Sequence, residues 1–398
     1  NIVDKGVQHM KKIICFILAV LLLCSCAKPN DYIVSPEFYS SEFLVDYDQN
    51  RNLLPIFDGV CKSENAFYIC SHNRKMILEY YDIASGTAAP LCAKPECDHT
   101  GDDCNASLSS SYAQGLSVYD KKLYWTALDF EHGFSIFSAS LDGTDRQAVR
   151  TLPESFAELD AYTIFHRGYV YLADSIGSIS NGSTVTSVKV CAALIDGDEE
   201  FVIIDNKYKN GTNAYVSIQA TANTLYIAIT TNDLSENHLE LYSWDSVTRK
   251  LKLLYDDSVA IAVIGFWVDP NEGIYLSDSD LNIYKYDNNT GKISHLFNFG
   301  NIGDMTNKTR FAGFTEKYII ADVLNSDKTI SICAKDYNGT AIYEKNLGEI
   351  GRNSGRSYFG CDRNNLIYRF LDIESSKMIY ASVPLEEGEA KILWEFDM

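Results

Sequence analysis

Leu123-Tyr124-Trp125-Thr126, Val170-Tyr171-Leu172-Ala173 and Leu225-Tyr226-Ile227-Ala228 repeat one pattern: apolar, tyrosine, apolar, small. Four further copies centre on Tyr68, Tyr275, Ile319 and Tyr368. Successive intervals are 56, 47, 55, 49, 44 and 49 residues. Short segments rich in aromatic and β-branched residues read as strands. Strands recurring with a period of about 50 residues read as the blades of a propeller. The expected fold class is therefore all-β, a β-propeller of four-stranded blades.

Outward from each copy, the pattern continues with a second strand and a polar turn. The turns read Asp82-Ile-Ala-Ser-Gly86, Asp142-Gly143, Asp196-Gly197, Trp244-Asp245, Asp287-Asn-Asn-Thr-Gly291, Asp336-Tyr-Asn-Gly339 and Glu386-Glu-Gly388. Asp, Asn and Gly supply the local hydrogen bonds and positive φ that hairpins need. A further apolar strand follows each turn, and one precedes each tyrosine copy. Blades are expected at 53–95, 108–153, 160–206, 213–256, 259–299, 308–348 and 356–398. Seven is the expected number; Ile319 is the weakest copy, so six and eight stay open. No amphipathic helical pattern separates the repeats, which disfavours an α/β fold. The last repeat has four strands of its own, so no strand need be shared to close the ring. The stretch 42–47 is a candidate cap for it.

Two intervals are long and mark insertions. Blade 3 carries the polar stretch Asp174–Thr184, expected to form a protruding hairpin. The first interval holds Leu91-Cys-Ala-Lys-Pro-Glu-Cys-Asp-His-Thr-Gly-Asp-Asp-Cys-Asn105, which places Cys92, Cys97, His99 and Cys104 within thirteen residues. Three thiolates and an imidazole can fill the tetrahedral shell of a structural zinc ion, and a loop with no core of its own gains most from such a staple. The alternative is a disulfide, with Cys61 or Cys70 as partner, if the chain lies outside the cytoplasm. Cys61 on the first strand and Cys92 after the fourth would stand three strand spacings, about 14 Å, apart. A disulfide needs Cα atoms within about 7 Å. Cys70 aligns with small residues in the other repeats and reads as core. Metal, disulfide and reduced thiols all stay open for the loop.

Cys191, Cys333 and Cys361 are isolated in different repeats and read as small core residues. His72, His132, His166, His238 and His295 show no ligand spacing. Asp278-Ser-Asp280 and Asp196-Gly-Asp198 fit turns better than a calcium loop. Nucleophile-elbow, zincin, P-loop and dinucleotide signatures are absent, so no catalytic residue is assigned.

Met10 opens a targeting segment. Lys11 and Lys12 precede eleven apolar residues, Ile13 to Leu23. That is too short for a bilayer span of about 20 residues but suits a signal-peptide core. Leu23-Cys24-Ser25-Cys26 then resembles a bacterial lipobox. Residues 1–25 are expected to be the signal peptide, with 1–9 upstream of the true start. Residues 26–52 are the lipidated terminus and tether, and 53–398 the propeller. Cys26 would carry the diacylglyceryl group and a further acyl chain such as palmitate, anchoring the protein to membrane lipid on the extracytoplasmic face of a bacterial cell membrane.

The chain of 398 residues has 46% apolar residues, ample for packed cores, and a formal net charge of −20. Residues 1–25 contribute +2 (Lys5, Lys11 and Lys12 against Asp4), which leaves −22 on the remainder. Such acidity argues against nucleic acid as a partner.

The lipobox, the cysteine loop and the tyrosine-marked repeats together resemble propeller lipoproteins of anaerobic Gram-positive bacteria. In that group a loop of the form L-C-x-K-P-x-C-x-H, closed by C-N-A, follows the first blade; here it runs from Leu91 to Ala106. The repeats are similar to propellers of the TolB type and of the low-density-lipoprotein-receptor relatives. The resemblance implies a location and a fold, and no substrate. The leading expectation is a monomeric, non-enzymatic scaffold binding a protein, peptide or glycan. The alternatives are a cell-envelope or glycan-processing enzyme with carboxylates and histidines in the central funnel, and a metal- or redox-responsive sensor built on the cysteine loop.

Overall fold

The computed structural model describes residues 60–397 except 72–76, 100–103, 109–112, 130, 160, 181–182, 210, 233–235, 260–262, 270–272, 301–307, 316, 351–354, 362–364 and 373–374. The expected signal peptide, Cys26, the tether and the 42–47 stretch lie outside the described residues.

Blade 1 is β1 (Val60–Lys62), β2 (Ala66–Ser71), β3 (Ile77–Asp82) and β4 (Thr87–Pro90). Blade 2 is β5 (Ala113–Tyr119), β6 (Lys122–Asp129), β7 (Gly133–Ser140) and β8 (Gln147–Thr151). Blade 3 is β9 (Tyr162–His166), β10 (Tyr169–Ser180), β11 (Ser183–Leu194) and β12 (Glu200–Lys207). Blade 4 is β13 (Asn213–Thr221), β14 (Thr224–Asn232), β15 (Asn237–Asp245) and β16 (Lys250–Val259). Blade 5 is β17 (Val263–Asp269), β18 (Gly273–Asp278), β19 (Asn282–Asp287) and β20 (Lys292–Asn298). Blade 6 is β21 (Lys308–Phe314), β22 (Ile319–Leu324), β23 (Ile330–Lys335) and β24 (Ala341–Asn346). Blade 7 is β25 (Gly355–Cys361), β26 (Asn365–Asp372), β27 (Lys377–Pro384) and β28 (Lys391–Asp397).

Every sheet is an antiparallel meander in which spatial order follows chain order. Successive first strands, from β1 to β25, neighbour one another and line the axis. The fold is a seven-bladed β-propeller, and among the described residues each blade consists of four consecutive strands of the chain.

Side chains alternate across a strand with period two, so each second strand can bury both its faces. On β6, Leu123, Trp125 and Ala127 pack towards blade 1, against Tyr68, Cys70 and Leu78. Tyr124 turns the other way, with its ring centroid 5.6 Å from that of Phe165 in blade 3. Tyr171 likewise meets Trp244 of blade 4 at 5.9 Å. Seven apolar clusters result, and each spans one seam between adjacent blades. The seam that closes the ring joins Phe67 and Ile69 of blade 1 to Ile367, Tyr380, Leu393 and Trp394 of blade 7.

The period-two rule corrects the phase of two motif copies. In blades 1 to 5 the motif tyrosine faces the following blade. Ile319 and Tyr368 instead face the preceding one, Ile319 beside Tyr275 and Tyr368 beside Ile320 and Ile330. The residues in the tyrosine's place are Ile320 and Ile367. A slip of one residue in aligning the copies moves a side chain to the opposite face.

The recurring polar turns do more than reverse the chain. Their aspartates accept from the N–H groups that follow: Asp82 from Ser85 (2.6 Å), Asp245 from Thr248 (2.6 Å), Asp336 from Thr340 (2.8 Å). These bonds hold the carboxyls of Asp82 and Asp336 below the usual aspartate range. Several of the turns also abut the preceding blade. Gly339, with φ +84°, leaves room for the Phe297 ring of blade 5. Lys345 of blade 6 donates to the carbonyls of Pro384 and Glu386 at the blade 7 turn, at 2.8 and 2.9 Å. Arg150 of blade 2 donates to the Leu194 carbonyl of blade 3 at 2.6 Å. The turns are joints between blades.

The expected hairpin in blade 3 is present. β10 and β11 pair continuously to Ser180 opposite Ser183, whereas the pairing with β9 stops at Ala173 and that with β12 at Ser187. Its tip is a two-stranded arm beyond the four-stranded sheet.

Two substitutions test these packing arguments. Trp125 is 1% exposed and stacks on Phe137 at 5.8 Å. Trp125→Ala is expected to lower unfolding free energy by about 3–5 kcal/mol in urea titration. Gly143 sits at φ +81°, and a Cβ there would strike the Leu91 carbonyl of blade 1. Gly143→Ala should cost about 1–3 kcal/mol. That should exceed Gly291→Ala, where φ is +66° and nothing lies within 4 Å. Thermal melting of the two variants compares them.

Candidate metal centre

The cysteine loop grows out of the edge of β3. The Leu91 N–H donates to the Leu78 carbonyl (2.8 Å), and the Leu78 N–H donates to the Ala106 carbonyl (2.8 Å). Ser107 then pairs with Ile77 as an antiparallel bridge. The chain therefore leaves the sheet edge at Leu91 and rejoins it at Ala106, extending the outer strand that β4 begins. The residues between form an excursion with two feet on Leu78. Cys92 stands just after the first foot and Cys104 just before the second.

The sulfurs of Cys92, Cys97 and Cys104 and a ring nitrogen of His99 all lie within 4.8 Å of one another. His99 Nδ1 is 3.4 Å from Cys104 Sγ. A tetrahedral ion with bonds of about 2.3 Å to sulfur and 2.0 Å to nitrogen places neighbouring ligand atoms about 3.5–3.8 Å apart. His99 has φ 56°, a left-handed conformation in which histidine is enriched and which here aims the imidazole inward. The group can hold a metal ion.

Hydrogen bonds favour the thiolate of Cys92. Burial pushes the Cys92 thiol up, but N–H groups of Lys94 and Asn105 and the thiols of Cys104 and Cys97 outweigh it and hold Cys92 below the usual range. The donor from Asn105 ties the two feet together. Burial, then hydrogen bonds to the sulfurs of Cys97 and Cys92, push the Cys104 thiol up to about 11 against the N–H groups of Ala106 and Ser107. Blade 2 grips the same feet. Gly143 admits the Leu91 carbonyl, and the Arg146 guanidinium donates to the Ser107 carbonyl.

The structure thus brings together all four residues expected from the sequence. Cys61 and Cys70 lie elsewhere, in the seam between blades 1 and 2. The described cysteines are all unbridged. Burial pushes the thiols of Cys70, Cys191 and Cys333 up to about 12, as expected of small core residues. His72 and the side chain of Cys361 lie outside what is described. Gly143 and Arg146 carried no signal in the sequence, because Arg146 is 39 residues from its partner Ser107.

The other described histidines sit in four different blades. His166 Nε2 donates to the Ala222 carbonyl at 2.9 Å, and His238 Nε2 meets Asp256 Oδ1 at 2.6 Å. His132 packs edge-on against Phe137 and His295 against Tyr284. Asp278 accepts from the N–H groups of Asp280 and Asn282, from Asn282 Nδ2 and from the Tyr284 hydroxyl. Both its oxygens are engaged within the turn, in keeping with turn chemistry.

A thiol footprint follows from these environments. With a chelator present, alkylation of the native protein should mark Cys92 and Cys97. Cys61, Cys70, Cys191 and Cys333 should stay unmodified until the chain unfolds. Peptide mass mapping reads the pattern.

No protein-family model and no curated protein matches the chain. Solved structures share its fold at low identity. Puromycin hydrolase matches with a TM-score of 0.53 and 9% identity, over 91% of this chain and 56% of that one. Prolyl oligopeptidase B from Galerina marginata matches at 0.50 and 10%, over 88% and 51%. The acylaminoacyl peptidase of Pyrococcus horikoshii matches at 0.50 and 13%, over 89% and 54%. The chain spans about half the length of each of these proteins. At such identities the likeness is one of fold alone, that of a propeller.

Proposed function

We propose that this chain is an exported lipoprotein, held by a diacylglyceryl-modified Cys26 on the extracytoplasmic face of a bacterial membrane. Its propeller acts as a rigid scaffold that binds a protein, peptide or glycan, and its Cys/His loop holds a structural zinc ion. The observation that carries the scaffold reading is the nature of the two departures from the repeat. Both are outward projections: a two-stranded arm on blade 3 and a ligand-bearing loop on the rim of blade 1. The seams between blades are occupied by apolar packing, which makes the ring a stiff platform for such projections. Support for zinc comes from the donor set, since soft thiolates select zinc over calcium or magnesium.

Cell fractionation tests the anchor. The native protein should partition with membranes and its Cys26→Ala variant with the soluble fraction; equal partitioning of the two would remove the lipoprotein reading. Affinity capture from the native cell envelope tests the scaffold. A stoichiometric bound protein, peptide or glycan is expected. Turnover of envelope glycan by the purified protein would replace the scaffold with the enzymatic alternative.

A further inference from the structure

We infer that a zinc ion bound by Cys92, Cys97, Cys104 and His99 Nδ1 completes the outer edge of blade 1 and latches that blade to blade 2. This rests on the zinc reading above and adds where the ion acts.

Blade 1 has the shortest outer edge. Its outer strand β4 has 4 residues. No other described outer strand is shorter than 5 residues. It is also the blade at which the ring closes, and blade 7 meets it through side chains and neighbouring outer strands, with no shared strand among the described residues. A short outer strand leaves the top of β3 without a partner, and the return of the chain at Ala106 and Ser107 supplies one. That partner stands at the far end of an excursion whose residues 93–96 are exposed. Apart from the Cys/His group, the described part of the excursion buries little that could hold it closed. Closing a flexible loop costs conformational entropy, and a metal clip between Cys92 and Cys104 offsets that cost at the two feet. The feet rest on Leu78, which is fully buried in the seam towards blade 2. Blade 2 completes the latch through Gly143 at Leu91 and Arg146 at Ser107.

The chemistry balances without a co-reactant. Each of three thiols loses one proton to solvent, three sulfur–metal bonds and one nitrogen–metal bond form, and the divalent ion with three thiolates carries a net charge of −1.

Hydrogen exchange read by mass spectrometry, on the full-length protein with and without chelator, tests the latch. Elemental analysis should first find one equivalent of zinc. Removing it should speed exchange in β3, β4 and residues 104–108 by roughly tenfold and leave β13–β16 unchanged. Added zinc should restore protection, and Cys97→Ser should show the fast pattern without chelator. If zinc is bound but its removal leaves blade 1 exchange unaltered, the latch is wrong while the metal site stands. If neither zinc nor added cobalt(II) binds, or a disulfide joins two of the loop cysteines, the metal reading and the latch fall together.

Discussion

Each four-stranded sheet in this protein has two apolar faces, and a sheet can bury both only between two neighbours. On β6 the alternation is direct: Leu123 and Trp125 go to one seam and Tyr124 to the other. A row of such sheets always leaves two faces exposed at its ends. Closing the row into a ring removes both ends, at the cost of joining residues far apart in the chain. The hydrophobic contribution is thus divided among seven seams, with no common centre, and every blade depends on the two beside it.

The joint at the outer rim follows from the same arrangement. Twisted sheets diverge towards their outer strands, so apolar packing alone does not hold the periphery. Polar turns do so instead. Gly339 meets Phe297, Lys345 reaches the carbonyls of the next turn, and Arg150 does likewise at the seam between blades 2 and 3. Blade 1, with its short outer strand, has the least periphery to grip. The Cys/His excursion lies at that place, between the stub of β4 and the turn of blade 2. A chemically unusual loop therefore occupies the position where the regular construction is weakest.

Much of this was legible in residues read along the chain. The strands of four blades fall inside the spans drawn from the tyrosine period, and those of blades 3, 4 and 7 overrun them by one to three residues, because alternation and turn chemistry are local properties. The spacing of Cys92, Cys97, His99 and Cys104 likewise announces a cluster, since a short loop cannot carry its ends far apart, while leaving metal, disulfide and free thiols open. The blade 3 hairpin was visible as a polar stretch longer than a turn requires. Less was visible where faces matter. Ile319 and Tyr368 satisfy the motif in composition yet point to the wrong seam, because composition does not distinguish two apolar faces of one strand. The roles of Leu78, Gly143 and Arg146 were invisible for a different reason: each acts on a segment brought near by the closing of a seam.

By itself, then, the sequence determined the strands, their grouping in fours and the membership of the Cys/His cluster, and it put the blades at seven with six and eight still open. All of these depend on period, turn residues and separations of a few positions. Only the tertiary structure decided which face of each second strand meets which neighbour and how the first blade is completed. It alone placed the cysteine loop against blade 2. Those outcomes depend on packing between residues 40 or more positions apart, such as Tyr124 with Phe165 and Phe67 with Trp394. Burial is non-directional and acts wherever the ring brings apolar surfaces together, so no local pattern encodes it.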